Sequence, residues 1–132
     1  MGIRDILSFF IPGLAPADVP VTLHGPDLNR FPTGSEYDHT LTLPDGRRLG
    51  YAQYGSPTGK PVFFFHGLPA CRIEGAYFHQ LGLKYGARII ATDRPGLGLS
   101  SPHPGRKLLD YPKDIEKLVE HLQLKEYAVM VC

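Results

Sequence analysis

Two short motifs each follow a run of apolar residues, and both contain groups that could take part in catalysis. The first is His66-Gly67-Leu68-Pro69, which comes directly after three phenylalanines. Gly67 permits a tight turn, so the Leu68 N–H could face a place where negative charge develops on a substrate oxygen. Pro69 would lock this turn, and the sequence leaves open whether its peptide bond is cis or trans. The motif alone is a weak signal, because many strands end in a Gly-Pro turn.

The second motif covers residues 93–100 and reads DRPGLGLS. Its two glycines invite a phosphate-loop interpretation, but the third glycine of a dinucleotide fingerprint is absent and no Gly-Lys-Ser/Thr follows, so we reject nucleotide binding. We predict a rigid structural loop in which Asp93 holds neighbouring backbone N–H groups or pairs with Arg94 or Arg72. The residues assigned to this loop are Asp93, Arg94, Gly96, Gly98 and Ser100.

Other combinations of reactive side chains are weaker candidates. Ser100, Ser101, His103 and Asp93 are close in sequence, but neighbouring loop residues rarely build a nucleophile, a base and an orienting acid in the right geometry. We expect His66 to be a structural hydrogen-bonding residue rather than a base. The two cysteines and the six histidines show no metal-ligand spacing. We therefore expect no metal and no cofactor.

Strands and helices alternate along the part of the chain that carries these motifs. An alternating stretch, a Pro44-Asp45-Gly46 turn and a second apolar-aromatic stretch predict a β-hairpin. Three later apolar runs are too short for helices and are typical of buried parallel strands. The predicted strands are residues 37–43, 49–54, 61–65, 87–92 and 127–131.

Two helices are predicted between the later strands. The first follows Cys71, with an apolar face spaced four residues apart and Gly86 as its end. The second has Asp110 as its cap and Pro112 in its first turn, followed by apolar residues at i, i+3, i+4 and i+7. The apolar faces are Ile73, Tyr77, Leu81 and Tyr85 for the first, and Ile115, Leu118, Val119 and Leu122 for the second.

Composition agrees with an ordinary globular chain. Among the 132 residues, 14 Lys and Arg face 13 Asp and Glu, which gives a net charge of +1 without a basic stripe, so nucleic acid is not an expected partner. No apolar run is long enough for a membrane span. Residues 6–17 have about the length of a signal-peptide core, but Pro12-Gly13 interrupts them, and we expect a cytoplasmic protein. Residues 1–35 are predicted to be a Pro/Gly-rich arm and residues 36–132 the folded part.

The order of elements predicts the α/β class, with an antiparallel N-terminal hairpin followed by parallel strands in βαβ crossovers. At the spacing seen here, residues 38–132 resemble the N-terminal half of an α/β-hydrolase, through the hairpin, His66-Gly67-Leu68-Pro69 and the motif at 93–100. Closer still, both motif regions look like a group of serine-type α/β-hydrolases, although Ala70 and Cys71 replace a Gly-Ser pair of that group. The resemblance implies that the turn His66, Gly67, Leu68 and Pro69 forms the oxyanion hole and that Leu68 supplies its N–H.

An α/β-hydrolase also needs a nucleophile on a G-x-S-x-G elbow, an acid and a histidine. The sequence contains no G-x-S-x-G, and in the register of the resemblance it stops about one residue before the nucleophile. We therefore expect a truncated chain of hydrolase lineage, inactive alone, whose small ester or epoxide-like substrate would bind only to a full-length form. The alternative is a non-catalytic interaction module that pairs, with itself or another chain, through an exposed strand at 127–131.

Overall fold

The computed structural model of the protein describes residues 31–132. Most of the predicted arm at 1–35, including the signal-like stretch at 6–17, lies outside the described residues. The described part contains five strands and two α-helices, together with 3₁₀ segments at Ser35–Tyr37 and Arg72–Phe78. In chain order these are β1 (Asp38–Thr42), β2 (Arg48–Gly55), β3 (Lys60–Phe65), α1 (His79–Tyr85), β4 (Ala87–Thr92), α2 (Asp110–His121) and β5 (Ala128–Val131).

The strands form one mixed sheet in the order β1-β2-β4-β3-β5. β1 and β2 are the predicted antiparallel hairpin, and β2 also pairs antiparallel with β4. β3 pairs parallel with β4 on one side and with β5 on the other. The predicted α/β class and all five predicted strands are therefore confirmed.

Both faces of the sheet are covered, so the central strands contribute side chains to two cores. On one face, Phe64, Tyr54 and Ile89 pack with Ala76 of the 3₁₀ segment. On the other face, Phe63 and Ile90 pack against Ile115 and Leu118 of α2, with Val119 and Leu122 half-buried beside them. The apolar face predicted for α2 is confirmed, and burial on both faces explains why residues 62–65 of β3 and 89–91 of β4 are continuously apolar.

The apolar face predicted for the helix after Cys71 is wrong. Ile73 and Tyr77 are 39% and 62% exposed, whereas Gly75 and Gly82 are buried against the sheet. A Cβ on Gly75 would lie 2.6 Å from the Cβ of Ala91, so the segment runs too close to the sheet for larger side chains. Its first half is also 3₁₀, which turns other residues inward than a period of 3.6 does.

The predicted ends of the helices are partly correct. Gly86 follows α1 in the left-handed conformation, at φ 67°, as expected for a C-terminal stop. Asp110 is not the cap of α2, because Leu109 occupies that position and the helix begins at Asp110 itself. The Asp110 carboxylate turns back to accept the Lys107 N–H at 2.8 Å, and this hydrogen bond lowers its pKa.

Candidate active site

The carboxyl ends of β3, β4 and β5 meet at one edge of the sheet, which is where parallel sheets bind ligands. The turn His66–Pro69 follows β3, and the loop 93–100 follows β4. At the end of β5, the Cys132 N–H donates to the Phe65 carbonyl at 3.1 Å. The Cys132 carbonyl lies 3.6 Å from the place of a Cβ on Gly67. Both motifs and the last residue of the chain are therefore neighbours at this edge.

The His66 ring holds the turn from inside. His66 is fully buried, and its Nδ1 lies 2.7 Å from the Gly67 carbonyl oxygen. Because a carbonyl oxygen can only accept, Nδ1 must carry the proton. The Ala70 N–H donates to the same oxygen at 3.2 Å, and the Leu68–Pro69 peptide bond is cis. The Gly67 carbonyl is thus held by two donors from the turn itself.

This arrangement fixes the direction of the Leu68 N–H. The Gly67 carbonyl and the Leu68 N–H belong to one trans peptide group, in which the two bonds point in opposite directions. Holding the oxygen against the buried ring therefore turns the N–H away from it. Leu68 is 73% exposed, and no group within residues 31–132 accepts its N–H. The turn offers one free, oriented backbone donor at the carboxyl edge of the sheet.

Asp93 organises the loop after β4. Its fully buried carboxylate accepts the Arg72 N–H at 2.7 Å, the Leu99 N–H at 2.8 Å and the Arg72 Nη1 at 3.0 Å. Of the two arginines considered from the sequence, Arg72 is the one that contacts Asp93. Arg72 also forms an ion pair with Asp38 at 2.7 Å, so it connects the loop to β1 as well.

The hydroxyl groups of Ser100 and Ser101 already form hydrogen bonds with backbone groups. Ser100 Oγ donates to the Asp93 carbonyl at 3.0 Å and accepts the Gly50 N–H at 2.9 Å. Ser101 Oγ accepts the Arg48 N–H at 2.9 Å. No contact joins either hydroxyl to His103, and the Asp93 carboxylate faces donors from other residues. The structure therefore does not assemble the local Ser-His-Asp set, and the serines fasten the loop to β2.

Two positions of this loop require glycine, because the backbone has a positive φ at both and packs closely on Asp93 at one of them. Gly96 and Gly98 have φ of 85° and 52°, in the region that glycine adopts without strain. A Cβ on Gly98 would collide with the Asp93 carboxylate. Gly98 therefore lets the chain fold over the buried acid.

Arg94 connects the loop to the turn. Its Nη2 donates to the His66 carbonyl at 2.9 Å, and its buried Nε has no partner among residues 31–132. Sequence reasoning missed this contact, as it missed the bidentate pair of Arg47 with Asp114 at 2.9 and 2.7 Å. Both pairs join residues far apart in the chain, so local spacing carries no signal for them.

A groove of about 420 Å³ lies beside the site, between α2 and β5. Tyr111 forms part of its wall, with its hydroxyl 2.7 Å from Thr92 Oγ1, and burial raises the Tyr111 pKa to about 12. The groove is mainly apolar, with Arg94 at one side. Its lining includes Phe65, Tyr111, Ile115, Val129 and Val131.

Within residues 31–132, no three His, Cys, Asp or Glu side chains come together as a metal-binding group. No helix in the same range is long and apolar enough to cross a membrane.

Comparison with known proteins adds the following. Residues 60–132 match the family model of the alpha/beta hydrolase fold. A proline iminopeptidase of Xylella fastidiosa is 37% identical over 105 residues, which cover 75% of this chain and 33% of that protein. A bifunctional esterase/perhydrolase of Acinetobacter calcoaceticus is 31% identical over 83 residues, which cover 62% of this chain and 30% of the relative. The chain therefore spans about a third of the length of these relatives.

Among solved structures, the epoxide hydrolase CorEH superposes with a TM-score of 0.61 at 28% sequence identity. The match covers 70% of this chain and 31% of that one. A thioesterase domain from the curacin biosynthetic pathway superposes with a TM-score of 0.63 at 20% identity, covering 71% and 36%.

Proposed function

Because the chain belongs to the alpha/beta hydrolase fold family, we propose that residues 66–69 form the oxyanion-binding part of a hydrolase active site. The observation that carries the proposal is the free Leu68 N–H, which the His66 ring and the Gly67 carbonyl turn outward. The substrate class we propose is a small ester. An epoxide is the second candidate, supported by the similarity to the epoxide hydrolase CorEH.

The proposed role of the turn follows from the negative charge that develops on the carbonyl oxygen during ester hydrolysis. When a nucleophile attacks an ester, the carbonyl oxygen becomes an oxyanion that needs hydrogen-bond donors already in place. The Leu68 N–H is such a donor, since the turn is braced by His66 and Arg94 before any substrate arrives. Loss of one oxyanion donor typically lowers kcat by about 10²–10³-fold.

We further propose that the nucleophile, the acid and the catalytic histidine lie outside these 132 residues. The sequence contains no G-x-S-x-G, and the hydroxyls of Ser100 and Ser101 are committed to the backbone. The place for a nucleophile is just beyond β5, because Cys132 already lies beside the turn. The 132 residues alone are then expected to leave p-nitrophenyl acetate unhydrolysed above background.

A chimera tests the complete proposal. The chain replaces the matching N-terminal part of the Acinetobacter calcoaceticus esterase/perhydrolase, and p-nitrophenyl acetate hydrolysis is measured. We expect ester turnover, reduced about 10²–10³-fold by Leu68→Pro, which removes the N–H. Leu68→Ala is the matched control, because it keeps the N–H and removes only an exposed side chain. Equal turnover by both folded variants would contradict the role of Leu68.

Two further measurements separate the alternatives. Phenyloxirane hydrolysis by the same chimera, without ester turnover, would favour the epoxide class. Ester turnover by the 132-residue chain alone that survives Leu68→Pro but disappears in Ser100→Ala or His103→Ala would establish a local catalytic set instead. Circular dichroism of every variant checks that a loss of turnover does not result from a loss of folded structure.

A further inference from the structure

The segment 66–72 contains the proposed backbone donor and is held at both ends by two consecutive residues of the loop after β4. At its start, the His66 carbonyl accepts a hydrogen bond from Arg94 Nη2 at 2.9 Å. At its end, the Arg72 N–H donates to the Asp93 carboxylate at 2.7 Å. Because Asp93 and Arg94 are neighbours in the chain, one short stretch of backbone fixes both ends of the segment.

The two contacts have different reach. Asp93 is fully buried and also accepts hydrogen bonds from the Arg72 side chain and from the backbone of its own loop, so it supports the whole loop. Arg94 is half-buried, and within residues 31–132 the His66 carbonyl is the hydrogen-bond partner of its side chain. A substitution of Arg94 therefore acts mainly on the turn, whereas a substitution of Asp93 also acts on the stability of the loop.

Gly67 lies between the two peptide groups that set the direction of the donor. The direction of the Leu68 N–H depends on the φ and ψ angles of Gly67, and glycine has the least restricted backbone of all residues. The peptide group after Gly67 is held through its carbonyl oxygen, by His66 Nδ1 at 2.7 Å and by the Ala70 N–H at 3.2 Å. The peptide group before Gly67 contains the His66 carbonyl, which Arg94 holds. Once both peptide groups are held, the two angles of Gly67 are fixed as well.

Arginine provides a strong hydrogen bond at this position. Its guanidinium group stays protonated, so the contact with the His66 carbonyl is charge-assisted and roughly twice as strong as a bond between neutral groups. The backbone of Arg94 is also fixed, because it follows the buried Asp93 and its carbonyl accepts the Leu97 N–H at 3.0 Å. The His66 carbonyl is therefore held by a strong donor on a fixed backbone.

We propose that Arg94 is a positioning residue, which keeps the Leu68 N–H aimed at the reacting oxygen by holding the peptide group before Gly67. This inference rests on the function proposed above, and Arg94 acts through the turn rather than on the substrate. The donor stabilises an oxyanion that forms only after attack, so a misplaced donor should lower kcat and leave KM unchanged. The loss should be about 10-fold, which is less than the roughly 10²–10³-fold loss for removal of the donor.

The 132-residue chain gives the first test, which needs no turnover. Arg94→Met keeps an unbranched side chain and removes the donor, so the amide NMR signal of Leu68 should shift or broaden. Arg88→Met is the matched control, because Arg88 is also half-buried and donates to Gln53 Oε1 at 2.7 Å, at the other end of β4 from the turn. An unchanged Leu68 signal in Arg94→Met, or equal changes in both variants, would overturn the proposal.

The chimera with the Acinetobacter calcoaceticus esterase/perhydrolase tests the effect on catalysis. With p-nitrophenyl acetate, Arg94→Met should lower kcat about 10-fold at unchanged KM, and Arg88→Met should change neither constant. Arg94→Lys should restore most of kcat, because an ammonium group can still donate to the His66 carbonyl. A raised KM, or no rescue by lysine, would contradict a role in holding this carbonyl. Circular dichroism checks that each variant is folded.

Combination with Leu68→Pro shows whether Arg94 acts through the Leu68 N–H. In the Leu68→Pro chimera, which lacks this N–H, Arg94→Met should cause no further loss of kcat. Losses that multiply in the double variant would overturn the positioning role and leave Leu68 as the proposed donor. Equal turnover of Leu68→Pro and Leu68→Ala would instead contradict the proposed function itself, so the two failures are distinguishable.

Discussion

Replacement of Asp93 by asparagine is the sharpest test of how the site is held. The carboxylate of Asp93 accepts three donors, two from Arg72 and one from the Leu99 N–H. Asparagine keeps one oxygen but turns an NH₂ group toward at least one of these donors. Hydrogen bonds to charged groups contribute about 1.5–3 kcal/mol each, and removing one partner of a buried pair costs about 3–5 kcal/mol. We therefore expect Asp93→Asn to lower the free energy of unfolding by about 3–5 kcal/mol.

Urea unfolding followed by circular dichroism measures this loss. With a slope of about 1.5 kcal/mol/M, the midpoint should fall by about 2–3 M. Asp38→Asn is the control, because Asp38 pairs with the same arginine but its side chain is 32% exposed, so its removal should cost about 1 kcal/mol or less. Equal losses for the two variants would refute the argument from burial.

Asp93→Asn could leave too little stability to measure, and Ser100→Ala then tests the same loop. The substitution removes the acceptor of the buried Gly50 N–H. A buried donor left without a partner costs about 1–3 kcal/mol. No change in the urea midpoint of Ser100→Ala would show that this loop does not depend on its polar contacts.

Two further predictions concern the face of the sheet that is covered by α1 and the 3₁₀ segment Arg72–Phe78. Burial lowers the pKa of His79, whose Nδ1 accepts the Gly55 N–H, so the folded state favours the neutral ring and stability should fall as the pH drops below about 6.5. His79→Gln should flatten this decline in urea midpoints measured between about pH 7 and 5, and an unchanged slope would assign it to another group. Gly75→Ala should cost about 1–3 kcal/mol in urea unfolding, since its Cβ would lie 2.6 Å from that of Ala91. A gain from the higher helix propensity of alanine would show that the segment can move away from the sheet.

The strands could be predicted from the sequence because buried strands are built mostly from apolar residues. β3 and β4 are covered on both faces, so residues 62–65 and 89–91 are apolar without interruption. The Pro44-Asp45-Gly46 turn likewise marks the hairpin, where Gly46 has φ of 84°. The position of the site turn was also predictable, since His66-Gly67-Leu68-Pro69 directly follows the apolar run of β3.

The packing after Cys71 could not be found by the same reasoning. Apolar spacing assumes that the largest side chains point inward, which fails where backbone and sheet nearly touch. There Gly75 and Gly82 are the inward residues, and Tyr77 is left 62% exposed. The small residues were the usable signal, since Gly82 also lies against Gly55 of β2 in a close backbone approach.

The two motifs act together, which neither suggests alone. Asp93 fixes the path of the loop after β4, and the next residue, Arg94, donates to the His66 carbonyl. The ring of His66 in turn holds the Gly67 carbonyl, and that contact sets the direction of the Leu68 N–H. The buried carboxylate after β4 therefore braces the backbone donor after β3.

This connection gives the loop a reason to be rigid, because the path of the loop sets the position of Arg94 and, through His66, of the Leu68 amide. We also expect that Asp93→Asn disturbs the Leu68 amide, whereas loss of the partly exposed contact between Asp38 and Arg72 leaves this amide unchanged. Amide NMR shifts of Leu68 in Asp93→Asn and Asp38→Asn would show whether the two loops are coupled in this way.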